Sequence, residues 1–392
     1  MATFFLFIIY MAFISLGLPD SLLGVAWPLM RSEYGSPFEA AGLVSMFTAG
    51  GTIVSSFASG AVHKHLSTGK ITLISCLMTA SSLLGFAFSP SFAWLLVLAV
   101  PLGLGGGSVD AALNNYVATR YKAHHMSWLH CFWGIGATMG PFIMSRFIAQ
   151  QNSWKNGYFA VSMLQFTLSA LLFLSLPLWS RMAKESHNSN ERHIAAESKA
   201  GTEKNNPLKI RGVKLSLAAF LFYCGVEATM GLWGSSFLVN IKALPAATAA
   251  QWVSLYYMGI TSGRLLTGFL TLRTGNRLLI RAGQSIVLAG VLLLLPSLPD
   301  YFSLVGFMLV GLGCAPVFPC MLHETPARFG RENSQAIMGY QMALAYTGST
   351  FLPPILGVVA ARTTIGYLPL FILAYVIIML ACSERISVLV RT

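Results

Sequence analysis

Twelve long apolar stretches, separated by short polar segments, dominate the pattern of hydrophobic and polar positions along the chain. A helix needs about 20 apolar residues to cross the hydrocarbon core of a bilayer, and each stretch reaches or approaches that length. The first is longer than the hydrophobic core of a signal peptide, so we expect it to remain as a helix. The predicted transmembrane helices cover residues 4–30, 39–62, 71–89, 92–119, 126–149, 155–179, 213–240, 246–270, 277–297, 301–324, 333–359 and 365–383.

A polar segment at 181–212 interrupts this pattern after the sixth stretch. It is rich in Lys, Glu, Asn and Ser, a composition typical of a solvated linker. The chain therefore divides into a first six-helix half at 1–180, a linker, and a second six-helix half at 213–392.

The two halves repeat each other at an offset of about 208 residues. The glycines at 103 and 105 recur at 311 and 313, and the motif Asp20-Ser-Leu-Leu-Gly24 recurs as Glu227-Ala-Thr-Met-Gly231. The polar chemistry is not repeated everywhere, since Asp110 falls opposite Phe318. These features predict an all-α membrane protein built from two pseudo-symmetric six-helix bundles, the architecture of transporters that bind substrate between two halves.

Composition agrees with a lipid environment. Hydrophobic residues make up 55% of the chain and charged residues 10%, against about 25% charged residues in a soluble domain. The net charge of +12 does not indicate a nucleic-acid partner, because the basic residues lie between apolar segments rather than on one face. The six cysteines all lie within those segments and form no CxxC pair, so we expect neither disulfides nor a metal site.

The basic residues also predict the orientation. The linker, the C-terminal tail and the connections on the same side hold nineteen Lys and Arg residues, whereas the opposite connections hold four. Because basic residues accumulate on the cytoplasmic side, both termini and the linker are expected in the cytoplasm.

Three acidic residues lie deep inside predicted helices, namely Asp20, Asp110 and Glu227. An ionisable group at that depth is costly and usually faces a cavity or a partner. We therefore predict that these residues couple transport to a cation, with Asp110 foremost. The alternative is a static buried carboxyl group that is hydrogen-bonded to Asn114, Asn115 or His130.

Other polar and aromatic side chains in the predicted helices suit a sugar, whose faces are apolar and whose rim carries hydroxyl groups. His130 and Trp133 lie three residues apart and share a helix face. The predicted substrate-binding residues are His130, Trp133, Asn114, Asn115, Gln341 and Tyr340. The basic residues predicted to serve cytoplasmic connections and gating are Lys64, Arg120, Arg264, Arg273 and Arg328.

Several motifs resemble the major facilitator superfamily over essentially the whole chain. They are the basic pattern Gly263-Arg264-x3-Gly268-x4-Arg273-x-Gly275-x-Arg277, the acid Asp20, the pair Asp110-x3-Asn114, and Leu129-His130-x-x-Trp133-Gly134-x-Gly136. The last three resemble the branch of the fucose–proton symporter and the sodium-dependent glucose transporter. This resemblance implies a monomer in a bacterial inner membrane that carries a small polar solute, foremost a sugar, by symport with a proton, or alternatively with sodium. It implies no cofactor.

Two alternatives to sugar symport follow from the sequence. The motif Gly136-Ala-Thr-Met-Gly140-Pro141 is similar to part of the signature of proton antiporters that export drugs, although Met144-Ser145 replaces its terminal glycines. A membrane sensor of sugars that does not transport them would show the same fold. An enzyme is not expected, since no nucleophile–base pair or metal cluster with suitable spacing is present in the sequence.

Overall fold

The computed structural model describes residues 2–62, 65–121, 123–190, 207–295 and 297–390, and within these ranges it contains helices and no strands. Lys64 and residues 191–206, half of the predicted linker, lie outside the described residues. The first half consists of α1 (Ala2–Asp20), α2 (Leu22–Tyr34), α3 (Ala40–Val62), α4 (Thr68–Ala87), α5 (Phe92–Arg120), α6 (Ala123–Gln151) and α7 (Trp154–Asn190). The second consists of α8 (Val213–Asn240), α9 (Ala246–Leu270), α10 (Asn276–Leu292), α11 (Asp300–His323), α12 (Thr325–Phe329), α13 (Arg331–Arg362) and α14 (Leu368–Leu389).

The predicted fold class is confirmed, and each of the twelve apolar stretches corresponds to a long helix or to the α1–α2 pair. Within the described part of the chain, nine helical stretches are long and apolar enough to cross a membrane by length and composition alone. The other three long helices, α6, α9 and α10, pack against members of that set. Helix α10 has 17 residues, and α6 and α9 carry polar side chains that face the interior of the protein.

Two helix boundaries differ from the prediction. The first apolar stretch is not one continuous helix, because α1 ends at Asp20 and α2 begins at Leu22. Pro19 precedes the break, and proline removes a helical N–H donor and bends the chain. At the other end of this half, α7 continues to Asn190, ten residues into the segment predicted as linker.

Glycines allow the closest helix contacts in both halves, and these contacts follow the sequence repeat. A methyl group on Gly103 of α5 would collide with the carbonyl oxygen of Thr48 on α3. At the equivalent place in the second half, a methyl group on Gly311 of α11 would collide with the carbonyl oxygen of Tyr256 on α9. Small residues at such crossings let helix backbones approach. The glycine-rich run near Gly103 is therefore a packing surface.

We expect Gly103→Ala to lower the unfolding temperature in detergent, because the added methyl group must separate α3 from α5. Overpacking of this kind costs typically about 1–3 kcal/mol. Gly50→Ala on α3 is the matched control, since a methyl group there meets no atom within 4 Å. Equal unfolding temperatures for the two variants would contradict the packing assigned to Gly103.

Three helix pairs make the main contacts between the two halves. Helix α6 packs along α9, α3 meets α13, and α2 crosses α8. The crossing of α2 and α8 is close, because a methyl group on Gly24 would collide with the carbonyl oxygen of Gly231. The repeated glycines thus lie against each other where the halves join. Each follows an acid, Asp20 or Glu227, by four residues.

Aromatic contacts join the halves at the end of the bundle away from the linker, which we call the distal end. The Phe38 ring, just before α3, stacks on Trp233 of α8 with centroids 4.8 Å apart. The indole N–H of Trp27 donates to the Phe38 carbonyl oxygen at 3.1 Å, and the Arg31 guanidinium lies 5.3 Å from the centre of the Phe38 ring. Gly42 and Pro354 bring α3 and α13 together nearby. These contacts hold the halves together at the distal end.

Candidate functional site

A cavity of about 810 Å³ lies between the two halves. Residues from all seven helices of the first half and from α8, α9, α11 and α13 of the second line it. Its wall includes Met126, Leu322 and Met342, which lie toward the helix ends on the linker side. The cavity therefore extends toward the linker end of the bundle, opposite to the aromatic contacts at the distal end.

Asp110 lies in the wall of this cavity and contacts both halves. Its Oδ1 accepts a hydrogen bond from the Asn114 amide at 2.7 Å, one helical turn along α5. Its Oδ2 accepts a hydrogen bond from the hydroxyl group of Tyr346 on α13 at 3.3 Å. The structure thus brings Asp110 and Asn114 together as the sequence spacing suggested, and it adds Tyr346. The Asp110 carboxylate therefore connects the two halves in the wall of the cavity.

Asp20 lies in the cavity wall at the break between α1 and α2. Its Oδ2 accepts a hydrogen bond from the indole N–H of Trp133 at 2.9 Å. Trp133 lies on α6 and also lines the cavity, and its ring meets the Tyr257 ring of α9 edge to face at 6.4 Å. An acid and an aromatic ring from the first half therefore face the second half together.

Glu227 also lines the cavity, and it forms an ion pair with Arg264. The Arg264 Nη2 atom lies 3.3 Å from the Glu227 Oε1 atom, and the two side chains are 13% and 19% exposed. The sequence groups Arg264 with the basic residues of gating and the cytoplasmic connections, although it falls within the predicted helix 246–270. In the structure Arg264 lies inside α9, six residues before the helix ends at Leu270, and its gating role stays a prediction.

The remaining predicted substrate residues are divided between the cavity and its surroundings. His130 lines the cavity and meets the Phe13 ring edge to face. Gln341 is buried elsewhere, where it accepts a hydrogen bond from Thr325 at 3.0 Å and donates one to Ser216 at 2.8 Å. Tyr340 is 39% exposed and is not among the residues that line the cavity. Gln341 therefore ties α13 to α8 and α12 instead of facing the cavity.

Two more of the predicted basic gating residues can be placed besides Arg264. Arg273 lies in the exposed turn between α9 and α10, and Arg328 of α12 pairs with Glu324 at 3.1 Å. The side chains of Arg120 and of the predicted substrate residue Asn115, both on α5, lie outside the described part of the structure, as does Lys64. Their gating and binding roles stay predictions.

The glycines of the antiporter-like motif have a packing role. A methyl group on Gly136 of α6 would collide with the carbonyl oxygen of Ile14 on α1, and one on Gly140 would lie against Ser21 and Leu18. The motif thus allows α6 to approach α1 and α2 where Asp20 and Trp133 meet. This contact explains the glycines without reference to antiport.

Two six-helix halves around a central cavity that is lined by acidic side chains define a membrane transporter of the type that alternates between two sides. A model of the Major Facilitator Superfamily matches residues 4–214, which is more than half of the chain. The chain belongs to this superfamily, and it is an integral membrane protein.

The chain is similar to several curated members and relatives. Bypass of stop codon protein 6 of Saccharomyces cerevisiae is 23% identical over 391 residues, which cover 91% of this chain and 77% of the relative. The glucose/mannose transporter GlcP of Bacillus subtilis is 24% identical over 273 residues, 66% of this chain and 63% of the relative. The membrane protein MosC of Rhizobium meliloti is 20% identical over 376 residues, 93% and 86% of the two chains.

Proposed function

We propose that this protein carries a sugar across a bacterial inner membrane together with a proton. The observation that carries the proposal is the environment of Asp110, a carboxyl group in the wall of the central cavity that contacts both halves. A group in this position can carry a charge in one step of the cycle and be neutral in another. Its state then affects whether the halves can close around the site.

The surroundings of the cavity support a sugar as substrate. Trp133 and Tyr257 offer aromatic surface, while Asn114, His130 and Tyr346 offer hydrogen-bonding groups in the same wall. Apolar walls with a few convergent polar groups are typical of small-molecule sites. The similarity to a glucose/mannose transporter supports the same substrate class.

The partners of Asp110 suit a carboxyl group that gains and loses a proton, which supports a proton as the coupling ion. Both carboxylate oxygens accept hydrogen bonds, one from an amide and one from a hydroxyl group. Protonation of Asp110 requires only that the hydroxyl group of Tyr346 rotate to accept, because a hydroxyl group can donate or accept.

The excess of basic residues in the linker, the tail and their neighbouring connections supports an orientation with both termini in the cytoplasm. In that orientation the cavity of this structure extends toward the cytoplasm. The chain would thus be in an inward-facing state, and the aromatic contacts around Phe38 would close the outer side.

We expect purified protein in proteoliposomes to accumulate one or a few sugars when a pH gradient is imposed. The measurement is uptake over a panel that includes D-glucose, D-mannose and L-fucose, with an imposed pH gradient and separately with a sodium gradient. Accumulation driven by sodium alone would transfer the coupling role to that ion. Binding of sugar without net flux would indicate a sensor, and proton-driven efflux of a drug panel would indicate an exporter.

A further inference from the structure

A chain of four side chains connects the two pseudo-symmetric acids across the interface of the halves. Asp20 accepts from the indole N–H of Trp133 at 2.9 Å. The Arg264 guanidinium lies 5.0 Å from the centre of the same indole ring. Arg264 in turn pairs with Glu227 at 3.3 Å. One indole therefore touches the acid of the first half with its edge and the cation of the second half with its face.

The two acids have different electrostatic partners although they occupy equivalent positions in the repeat. Glu227 has a guanidinium beside it, and the pair is mostly buried. For Asp20, no Lys, Arg or His side chain of the described part of the chain lies within ion-pair distance. Removing one member of a buried ion pair leaves an uncompensated charge, which is strongly destabilising. Glu227 is therefore the counter-ion of Arg264, whereas Asp20 has no cation of the described residues in that role.

The contact between Arg264 and Trp133 orients the ring. A guanidinium within about 6 Å of an indole centroid attracts the ring electrostatically, and its flat shape stacks on the ring face. Next to Trp133, Gly134 of α6 lies against Thr261 of α9, so the helix backbones are close at this level. The ring is thus held between a cation on one side and a carboxylate at its edge.

We propose that Arg264 is a positioning residue, which is paired with Glu227 and holds the Trp133 indole so that its N–H group stays on Asp20. In this arrangement Glu227 is the permanent counter-ion of Arg264 and does not exchange the coupling proton. The inference rests on the proposed function for its transport readout. Its structural part concerns Trp133 alone and does not depend on which solute is carried.

The test uses the full-length protein in nanodiscs, with ¹⁵N in the tryptophan indoles, and the Trp133 N–H signal is identified from its loss in Trp133→Phe. We expect this signal to move in Asp20→Asn and to move again in the double variant Glu227→Gln/Arg264→Gln, which removes both charges. Arg264→Lys keeps a cation beside Glu227, and it replaces the double variant in this test if the double variant does not fold. It too should move the signal, because the flat guanidinium is lost. Arg281→Lys at an exposed ion pair with Glu384 is the matched control and should leave the signal in place.

Transport of D-glucose supplies the second readout. Loss of a cation–π contact should raise KM by about 5- to 30-fold with a much smaller change in maximal rate. The ratio of protons to sugar should be unchanged in the double variant. Glu227→Gln alone should be more damaging than the double variant, because it leaves Arg264 unpaired.

Two results would overturn the inference. An unmoved Trp133 signal in both the double variant and Arg264→Lys would show that Arg264 does not position the ring. Sugar exchange without gradient-driven accumulation in the double variant would make Glu227 a coupling acid. If D-glucose is not carried, the transport readout uses D-mannose or L-fucose. If no sugar of the panel is carried, the proposed substrate class fails, while the indole signal still decides the positioning role of Arg264.

Discussion

Asp110→Asn is expected to abolish uphill accumulation of the sugar while sugar exchange across the membrane continues. In the wild type, each proton that moves with the sugar contributes about 2.3 kcal/mol per 100 mV of membrane potential, which corresponds to roughly 50-fold accumulation. The variant should equilibrate the sugar and accumulate none. The measurement compares potential-driven uptake with counterflow in the same proteoliposomes.

The reason lies in the two hydrogen bonds of Asp110. An ionised carboxylate is unfavourable to enclose between two closing halves, whereas the protonated group is neutral and keeps its partners Asn114 and Tyr346. Asparagine has the same shape and is neutral at every pH. The variant therefore imitates the loaded carrier permanently, so the step that depends on the proton is lost and exchange shows little pH dependence.

Asp300→Asn is the matched control, because Asp300 is exposed at the first turn of α11, far along the chain from the cavity residues of that helix. It should accumulate the sugar like the wild type. Retained accumulation in Asp110→Asn would remove this residue from the coupling mechanism and transfer the role to Asp20. Loss of exchange as well would show that Asp110 binds substrate or a sodium ion.

Trp133→Ala should weaken sugar affinity by about 30-fold or more, because truncation of a central aromatic anchor costs roughly 2 kcal/mol or more. The indole lines the cavity, bonds to Asp20 and covers Arg264. Trp94→Ala is the matched control, since Trp94 is 49% exposed on the outer surface of α5. Binding measured by calorimetry or by competition in detergent decides the outcome.

The Gln341→Ala variant decides between the role that the sequence predicts for Gln341 and the role that the structure gives it. The sequence predicts that Gln341 binds substrate. In the structure its amide oxygen accepts a hydrogen bond from Thr325 and its amide nitrogen donates one to Ser216. We expect a lower unfolding temperature with unchanged sugar affinity. A loss of affinity in Gln341→Ala as large as that in Trp133→Ala would contradict the position of the cavity wall.

Within each half, the sequence predicts the fold and much of the site, because helix length and spacing are local properties. The apolar stretches locate the long helices, and the spacing of Asp110 and Asn114 places both on one face of α5. The repeat of Asp20-x3-Gly24 as Glu227-x3-Gly231 predicts that these residues occupy equivalent positions in the two halves. In the structure the two glycines are in contact.

Contacts between the halves could not be predicted in this way. The bond from Tyr346 to Asp110 depends on how one bundle is rotated against the other, and no periodicity within either half sets that angle. The partners of Arg264 were not predicted for a related reason. Arg264 belongs to a basic pattern that continues into the connection after α9, while its own side chain meets Glu227 and the ring of Trp133 from the other half.

The central claim is that sugar and proton cross together by way of Asp110. It is tested most directly by recording the external pH of weakly buffered proteoliposomes when the best sugar of the panel is added, with the membrane potential clamped. We predict a transient rise in external pH as protons enter with the sugar, and no rise in Asp110→Asn although its sugar exchange persists. Sugar entry into wild-type vesicles without any change in pH would contradict the claim.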